Sequence, residues 1–237
     1  MNLTGRLAVV TGATEGIGRA IAEALARGGA TVAICARTAK RVEATVQELR
    51  GMGFDAVGHP CDVAVPAAVT AFADFVSRER GDPAVLVNNA GIGRFAPLER
   101  LSLEDWDATM GVNLRSLYLV TRAFLPGLKR AAPSSIVNIA SLAGRNGIEE
   151  GTAYCASKHA VLGFSKALML EVRKAQVRVV AVCPGSVATP FMDKQTRLHP
   201  NRDRVLIAAD VAETVCATLT LPDRAMVSEL DIRPTNP

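Results

Sequence analysis

Tyr154 and Lys158 stand four residues apart in a segment with helical spacing, which puts both side chains on one face, one turn apart. A free phenol has a pKa of about 10, too high for efficient proton exchange at neutral pH. A neighbouring ammonium favours the phenolate, so the pairing predicts a lowered Tyr154 pKa and general acid–base work. Ser141 lies thirteen residues earlier, just past Ser135-Ile136-Val137-Asn138-Ile139, a run that reads as a buried strand. Its hydroxyl then stands at the carboxyl edge of a sheet, able to donate to a carbonyl oxygen and stabilise oxyanion character there. Asn113 sits in an otherwise apolar helical run, Met110 to Val120, where a buried amide needs partners. Taken singly, each has a plainer reading: a helix surface pair, a serine satisfying local backbone, a structural amide. His159 points away from Tyr154 and Cys155 lacks a basic partner, so neither receives a role.

These side chains need a scaffold, and the order of the chain supplies one. Apolar runs rich in Val, Ile and Ala recur at Leu7–Val10, Thr31–Ile34, Ala84–Val87, Ser135–Ile139 and Val177–Val182, with shorter candidates at Ala56–Gly58 and Val227–Ile232. They read as buried parallel strands. Segments with helical spacing alternate with them: Gly16–Arg27, Ala39–Met52, Pro66–Arg80, Leu103–Arg130, Ala153–Lys174 and Ala209–Thr220. This alternation selects an α/β fold, a doubly wound Rossmann-type sheet, mostly parallel, with helices on both faces. No linker or repeat divides the chain, so residues 1–237 are expected to form a single domain.

Directly after the first strand comes Thr11-Gly12-Ala13-Thr14-Glu15-Gly16-Ile17-Gly18 and then an apolar helix. Three glycines permit a tight turn and close approach of a pyrophosphate, and the helix N-terminus offers free N–H groups to it. The spacing differs from G-x-G-x-x-G, and no Lys-Ser or Lys-Thr follows to make a Walker A loop.

The turn resembles that of the short-chain dehydrogenase/reductase family, and later motifs agree in order: Asn88-Asn89-Ala90-Gly91, Asn113, Ser141, Tyr154-Cys155-Ala156-Ser157-Lys158, and Pro184-Gly185-Ser186-Val187-Ala188-Thr189. The match covers roughly residues 4 to 192. It implies hydride transfer between a nicotinamide cofactor and a carbonyl or secondary alcohol, with Asn113, Ser141, Tyr154 and Lys158 as catalytic set. Lys158 would bind the nicotinamide ribose and exchange protons with Asn113 through water. The cofactor would lie on Gly12, Thr14, Gly16, Ile17 and Gly18, with Asp62 and Val63 at adenine and Asn88 on the adenosine side. Asn89, Ala90, Gly91, Tyr154, Lys158, Pro184, Gly185, Val187 and Thr189 would complete its site, Thr189 at the carboxamide. At the end of the second strand, Arg37 stands where a carboxylate would select NAD, which favours NADP, while Glu15 opposes a 2′-phosphate.

Other classes compete less well. A sensor or scaffold that binds NADP without turnover would not need the full catalytic set, and an epimerase or dehydratase would need a longer chain. The charge balance, 27 basic against 23 acidic residues, offers no nucleic-acid groove or membrane patch. Charge-free stretches are too short for a membrane span, no signal peptide is evident, and five cysteines without C-x-x-C indicate neither disulfides nor zinc, so a cytoplasmic setting is expected. Ile92–Leu98, Leu142–Glu150 and Phe191–Arg204 are the expected pocket walls for a small-molecule substrate, with no legible preference. The stretch from Thr189 to Ala209 is a candidate lid, in which Arg197, His199, Arg202 and Arg204 could meet an anion. The helix at Ala153–Lys174 is apolar nearly all round, as is that near Val112–Leu128. A homodimer or homotetramer built on them is therefore expected, with Leu168 as a candidate outward residue.

Overall fold

The computed structural model describes residues 1–193 and 204–235. Its centre is a seven-stranded sheet in the order β3-β2-β1-β4-β5-β6-β9. The strands are β1 (Leu7–Thr11), β2 (Thr31–Ala36), β3 (Ala56–Pro60), β4 (Val85–Asn88), β5 (Ser134–Ile139), β6 (Val177–Pro184) and β9 (Glu229–Ile232). Every pairing in it is parallel. Such a sheet is covered on both faces, and this is why its strands are continuous apolar runs instead of alternating ones.

Side chains of alternating parity feed two cores. Val10, Val32 and Ile34 pack with Ile21 and Leu25 of α1 (Gly16–Arg27), Val42 and Leu49 of α2 (Ala39–Gly51), and Val215 of α8 (Ala208–Thr220). On the opposite face Val9, Leu86 and Ile136 meet Phe72 of α3 (Pro66–Arg80), Phe124 of α5 (Ser116–Arg130), and Leu168 of α6 (Thr152–Val172). Leu168 is thus a core residue, only 7% exposed, and not an outward one. The outer side of α6 instead carries Ala156, His159, Gly163, Ala167 and Leu170.

Strand order reverses between β1 and β4. The chain leaves β1 for β2 on one side and returns to β4 on the other, which opens a crevice outside the carboxyl ends of these strands.

The long helix expected over Leu103–Arg130 has an internal irregularity. It runs as α4 (Leu103–Met110), a π-helical turn over Gly111–Arg115, and then α5. The Ser116 hydroxyl, at the start of α5, donates back to the Val112 carbonyl in that turn. Past β6, a short strand β7 (Val187–Ala188) pairs in parallel with β8 (Leu206–Ile207), and α7 (Pro190–Asp193) follows β7. Arg204 is exposed; Arg197, His199 and Arg202 lie outside the described residues. Arg178 stands in the otherwise apolar β6 and is buried. Its guanidinium donates to Ser135 Oγ at 3.2 Å and to the carbonyls of Leu219, Leu221 and Ala225 at 2.9, 3.3 and 3.3 Å.

Candidate active site

A cleft of ≈ 580 Å³ runs across the carboxyl ends of the strands. The β1–α1 turn forms one end. Gly12 and Gly16 have φ of +65° and +57°, a backbone region that glycine enters without strain. A Cβ on Gly12 would lie 3.0 Å from Ala90 Cα, so the turn and the Asn88-Asn89-Ala90-Gly91 segment are in direct contact. Thr11 fastens them together: its hydroxyl accepts from the Asn89 and Ala90 N–H groups at 3.0 and 3.1 Å. In return the Asn89 amide donates to the carbonyls of Thr11 and Gly12. A Cβ on Gly18 would come within 2.3 Å of Asn89 Nδ2 and 2.4 Å of the Gly12 carbonyl oxygen. Gly18 therefore serves helix packing and does not line the cleft.

Of the other residues assigned to a cofactor, Thr14, Ile17, Arg37, Asp62, Val63, Asn89, Ala90, Gly91, Pro184, Gly185, Val187 and Thr189 all line the cleft. Thr189 faces the glycine turn, at 3.4 Å from where a Gly16 Cβ would be. The fit to a nicotinamide dinucleotide rests on three observations: the glycine cradle that side chains would fill, an α1 N-terminus with no side-chain cap, and a basic pair, Arg37 and Arg41, beyond β2. Glu15 pairs with Arg41 at 2.6 Å. Asn88 departs from its expected place on the adenosine side. Its amide turns into the protein, donating to Thr121 Oγ1 at 3.1 Å and Asn138 Oδ1 at 2.9 Å. The last residue of a central strand points into the helix layer, and its neighbour Asn89 takes the exposed side.

At the other end Ser141, Tyr154 and Lys158 line the cleft together. The Ser141 hydroxyl lies close enough to Tyr154 to favour its ionised form, and Ser141 Oγ accepts from the Ala143 N–H at 3.1 Å. The Tyr154 ring packs against Phe95 and Phe191, with centroids 5.3 and 5.9 Å away. Lys158 Nζ donates to the Ile139 carbonyl at 2.9 Å and lies 5.7 Å from the Tyr154 ring centroid. Asn113 is beside them, but behind the cleft. Its amide donates to Ile92 O and Ser157 Oγ and accepts from Ile92 N–H at 2.8 Å. Ser157, which in turn donates to the Tyr154 carbonyl at 2.7 Å, is a positioning residue that the sequence pattern alone did not single out, as is Thr11. Between Asn113, Lys158 and Asn88 lies a cavity of ≈ 10 Å³, about one water molecule in size. Asn88 Oδ1 is a buried acceptor there without a partner among the described residues.

The electrostatics differ from the expectation at Tyr154. Burial pushes its pKa up to about 12, with only the Ser141 hydrogen bond pulling the other way. Burial likewise lowers Lys158 to about 8. Burial explains the reversal: a phenolate enclosed by two phenylalanine rings loses its hydration.

Comparison with known proteins agrees with this arrangement. A family model described as short chain dehydrogenase matches residues 6–199. D-threitol dehydrogenase of Mycolicibacterium smegmatis is 43% identical over 192 residues, covering 81% of this chain and 74% of its own. The 3-oxoacyl-acyl-carrier-protein reductase of Pseudomonas aeruginosa is 38% identical over 211 residues, covering 89% and 84%. Among solved structures, a metagenomic short-chain oxidoreductase in complex with NADP superposes with a TM-score of 0.86 at 40% identity, covering 99% of this chain and 100% of that one. The family model spans most of the chain, and relatives and solved structures of the same family match it over nearly its whole length, so the chain belongs to the short-chain dehydrogenases.

Proposed function

We propose that the chain is an NADPH-dependent reductase of carbonyl compounds, with Ser141, Tyr154, Lys158 and Asn113 as its catalytic set. The observation that carries the reading is that Ser141, Tyr154 and Lys158 line one end of the cleft whose other end holds the glycine turn with Arg37 and Arg41. A phenol raised to about 12 by burial is still acidic enough to protonate an alkoxide as it forms, and alcohol oxidation is the same path reversed.

When bound, the reduced dinucleotide supplies a hydride, and with it two electrons, to the carbonyl carbon. Ser141 Oγ orients the carbonyl oxygen through the hydroxyl that now meets Tyr154. Tyr154 gives its proton to that oxygen as the C=O π bond opens, so a secondary alcohol is the product. Lys158, which lines the cleft with Tyr154, would hold the nicotinamide ribose. Replacement of the tyrosine proton runs from Lys158 towards Asn113 by way of the water-sized cavity between them. Arg37 would receive the 2′-phosphate, and the Arg41 contact offsets the opposing charge of Glu15.

The deciding assay follows loss of NADPH absorbance with a panel of ketones and aldehydes. Turnover that depends on Tyr154 sustains the reading, whereas tight NADPH binding without turnover of any carbonyl replaces it with a sensor. Two further readings go with it. Residues 1–237 work as one domain in a homo-oligomer, supported by Tyr118 and Leu170, which leave 46% and 56% of their surface exposed on α5 and α6. A cytoplasmic setting is supported by five cysteines that are all free thiols.

A further inference from the structure

The apolar character of the cleft near Tyr154 carries a statement about the substrate, which rests on the reductase reading above. A group attached to the carbonyl carbon must lie close to the Tyr154 hydroxyl, and so against the rings packed on that phenol. Those rings are Phe95, from the segment after β4, and Phe191, from α7. Phe95 is held there by two features. The Ala96 N–H donates to the Glu150 carbonyl at 2.9 Å, and Gly151 packs at the ring edge, where a Cβ would come to 3.4 Å, an ordinary contact. Ile92, Leu142, Ile148 and Met192 extend the same apolar lining.

Polar groups on this side are few among the described residues. Ser141 and Tyr154 are already needed by the carbonyl oxygen. Lys158 is engaged beside the phenol, and Arg94, the other charged side chain on this side among the described residues, has Asp105 3.3 Å from its guanidinium. A carboxylate or a row of hydroxyls would leave water for a surface that gives little back. A flat ring would gain tilted contacts with both phenylalanines in addition to apolar burial.

We propose that the enzyme selects carbonyl compounds bearing an aromatic group next to the carbonyl, and that Phe95 and Phe191 are its specificity-determining residues. The reaction is reduction of an aryl ketone to the benzylic alcohol. One hydride is taken from NADPH and one proton from Tyr154, the cofactor being oxidised.

The test compares kcat/KM for acetophenone, acetoacetate and erythrulose with NADPH, in the wild type and in Phe95→Ala, Phe191→Ala and the milder Phe95→Leu and Phe191→Leu. The expected result is a preference for acetophenone and a fall of about tenfold or more in the acetophenone-to-acetoacetate ratio in the variants. Equal or better turnover of acetoacetate or erythrulose, or an unchanged ratio in every folded variant, overturns the proposal. Should none of the three be reduced, the reductase reading fails separately. Calorimetric titration of acetophenone into the protein with NADP⁺ then decides the pocket: binding weakened in Phe191→Leu supports it, and no heat overturns it.

Discussion

Arg41 places its guanidinium 2.6 Å from the Glu15 carboxylate, joining the start of α2 to the residue that precedes α1. Both side chains are partly exposed and the pair adds little stability by itself. Its importance lies in position. Glu15 would repel a phosphate at the end of β2, and Arg41 neutralises that repulsion while Arg37 stays available in the same cleft.

Arg37→Ala should therefore lower the preference for NADPH over NADH by roughly ten- to a hundredfold, the worth of a charge-assisted phosphate contact. Arg41→Ala should weaken NADPH binding as well, and adding Glu15→Gln should recover part of the loss. Dissociation constants from fluorescence titration check both, and recovery absent from the double variant would detach Glu15 from cofactor choice.

Tyr154→Phe removes the transferable proton and keeps the ring that packs on Phe95 and Phe191. NADPH affinity should stay near that of the wild type while kcat falls by about 10² to 10⁴. Stopped-flow turnover beside a binding titration separates the two; retained kcat would remove Tyr154 from the mechanism.

Lys158 sets a pH dependence whose sign follows from its lowered pKa of about 8 against an ordinary 10.5. Its ammonium is lost from the folded protein as pH rises through 8, so NADPH affinity should weaken there, and in Lys158→Arg the change should move to higher pH. Between pH 8 and 10.5 the unfolded chain holds the extra proton, so this group makes the fold more stable as pH rises, its burial penalty being complete only below 8. Tyr154 acts oppositely between its ordinary 10 and about 12, where the folded chain holds the proton. Melting curves of wild type and Lys158→Met from pH 7 to 10 should converge as pH increases. Curves that stay parallel would mean that Lys158 keeps its ordinary pKa.

Arg178→Met should leave the carbonyls of Leu219, Leu221 and Ala225 short of a donor and cost about 3 kcal/mol. Denaturant midpoints measure this. A change below about 1 kcal/mol would show that those carbonyls find other partners.

Local patterns were readable without coordinates. The three-glycine turn and the Tyr154 and Lys158 spacing are fixed within a few residues, and they appear where the chain order puts them. What escaped depends on neighbours distant in sequence. Asn88 and Asn89 look alike in a row of letters, yet one joins Thr121 and Asn138 in the interior while the other clasps the glycine turn. The raised Tyr154 pKa required knowing that Phe95 and Phe191, from separate segments, enclose the ring. An apolar α6 was evident, but which side of it faced the sheet was not, and Leu168 proved to be inside.

The π-helical turn at Gly111–Arg115 makes part of this chemistry a matter of counting. A helix turns about 100° per residue, so removing one residue there would restore an even winding and rotate everything on one side of the gap relative to the other. Asn113 could no longer reach Ile92 and Ser157 while α5 kept Phe124 and Leu128 on the sheet. A single-codon deletion in this stretch, with every catalytic side chain still encoded, should therefore disable the enzyme more thoroughly than many substitutions within it.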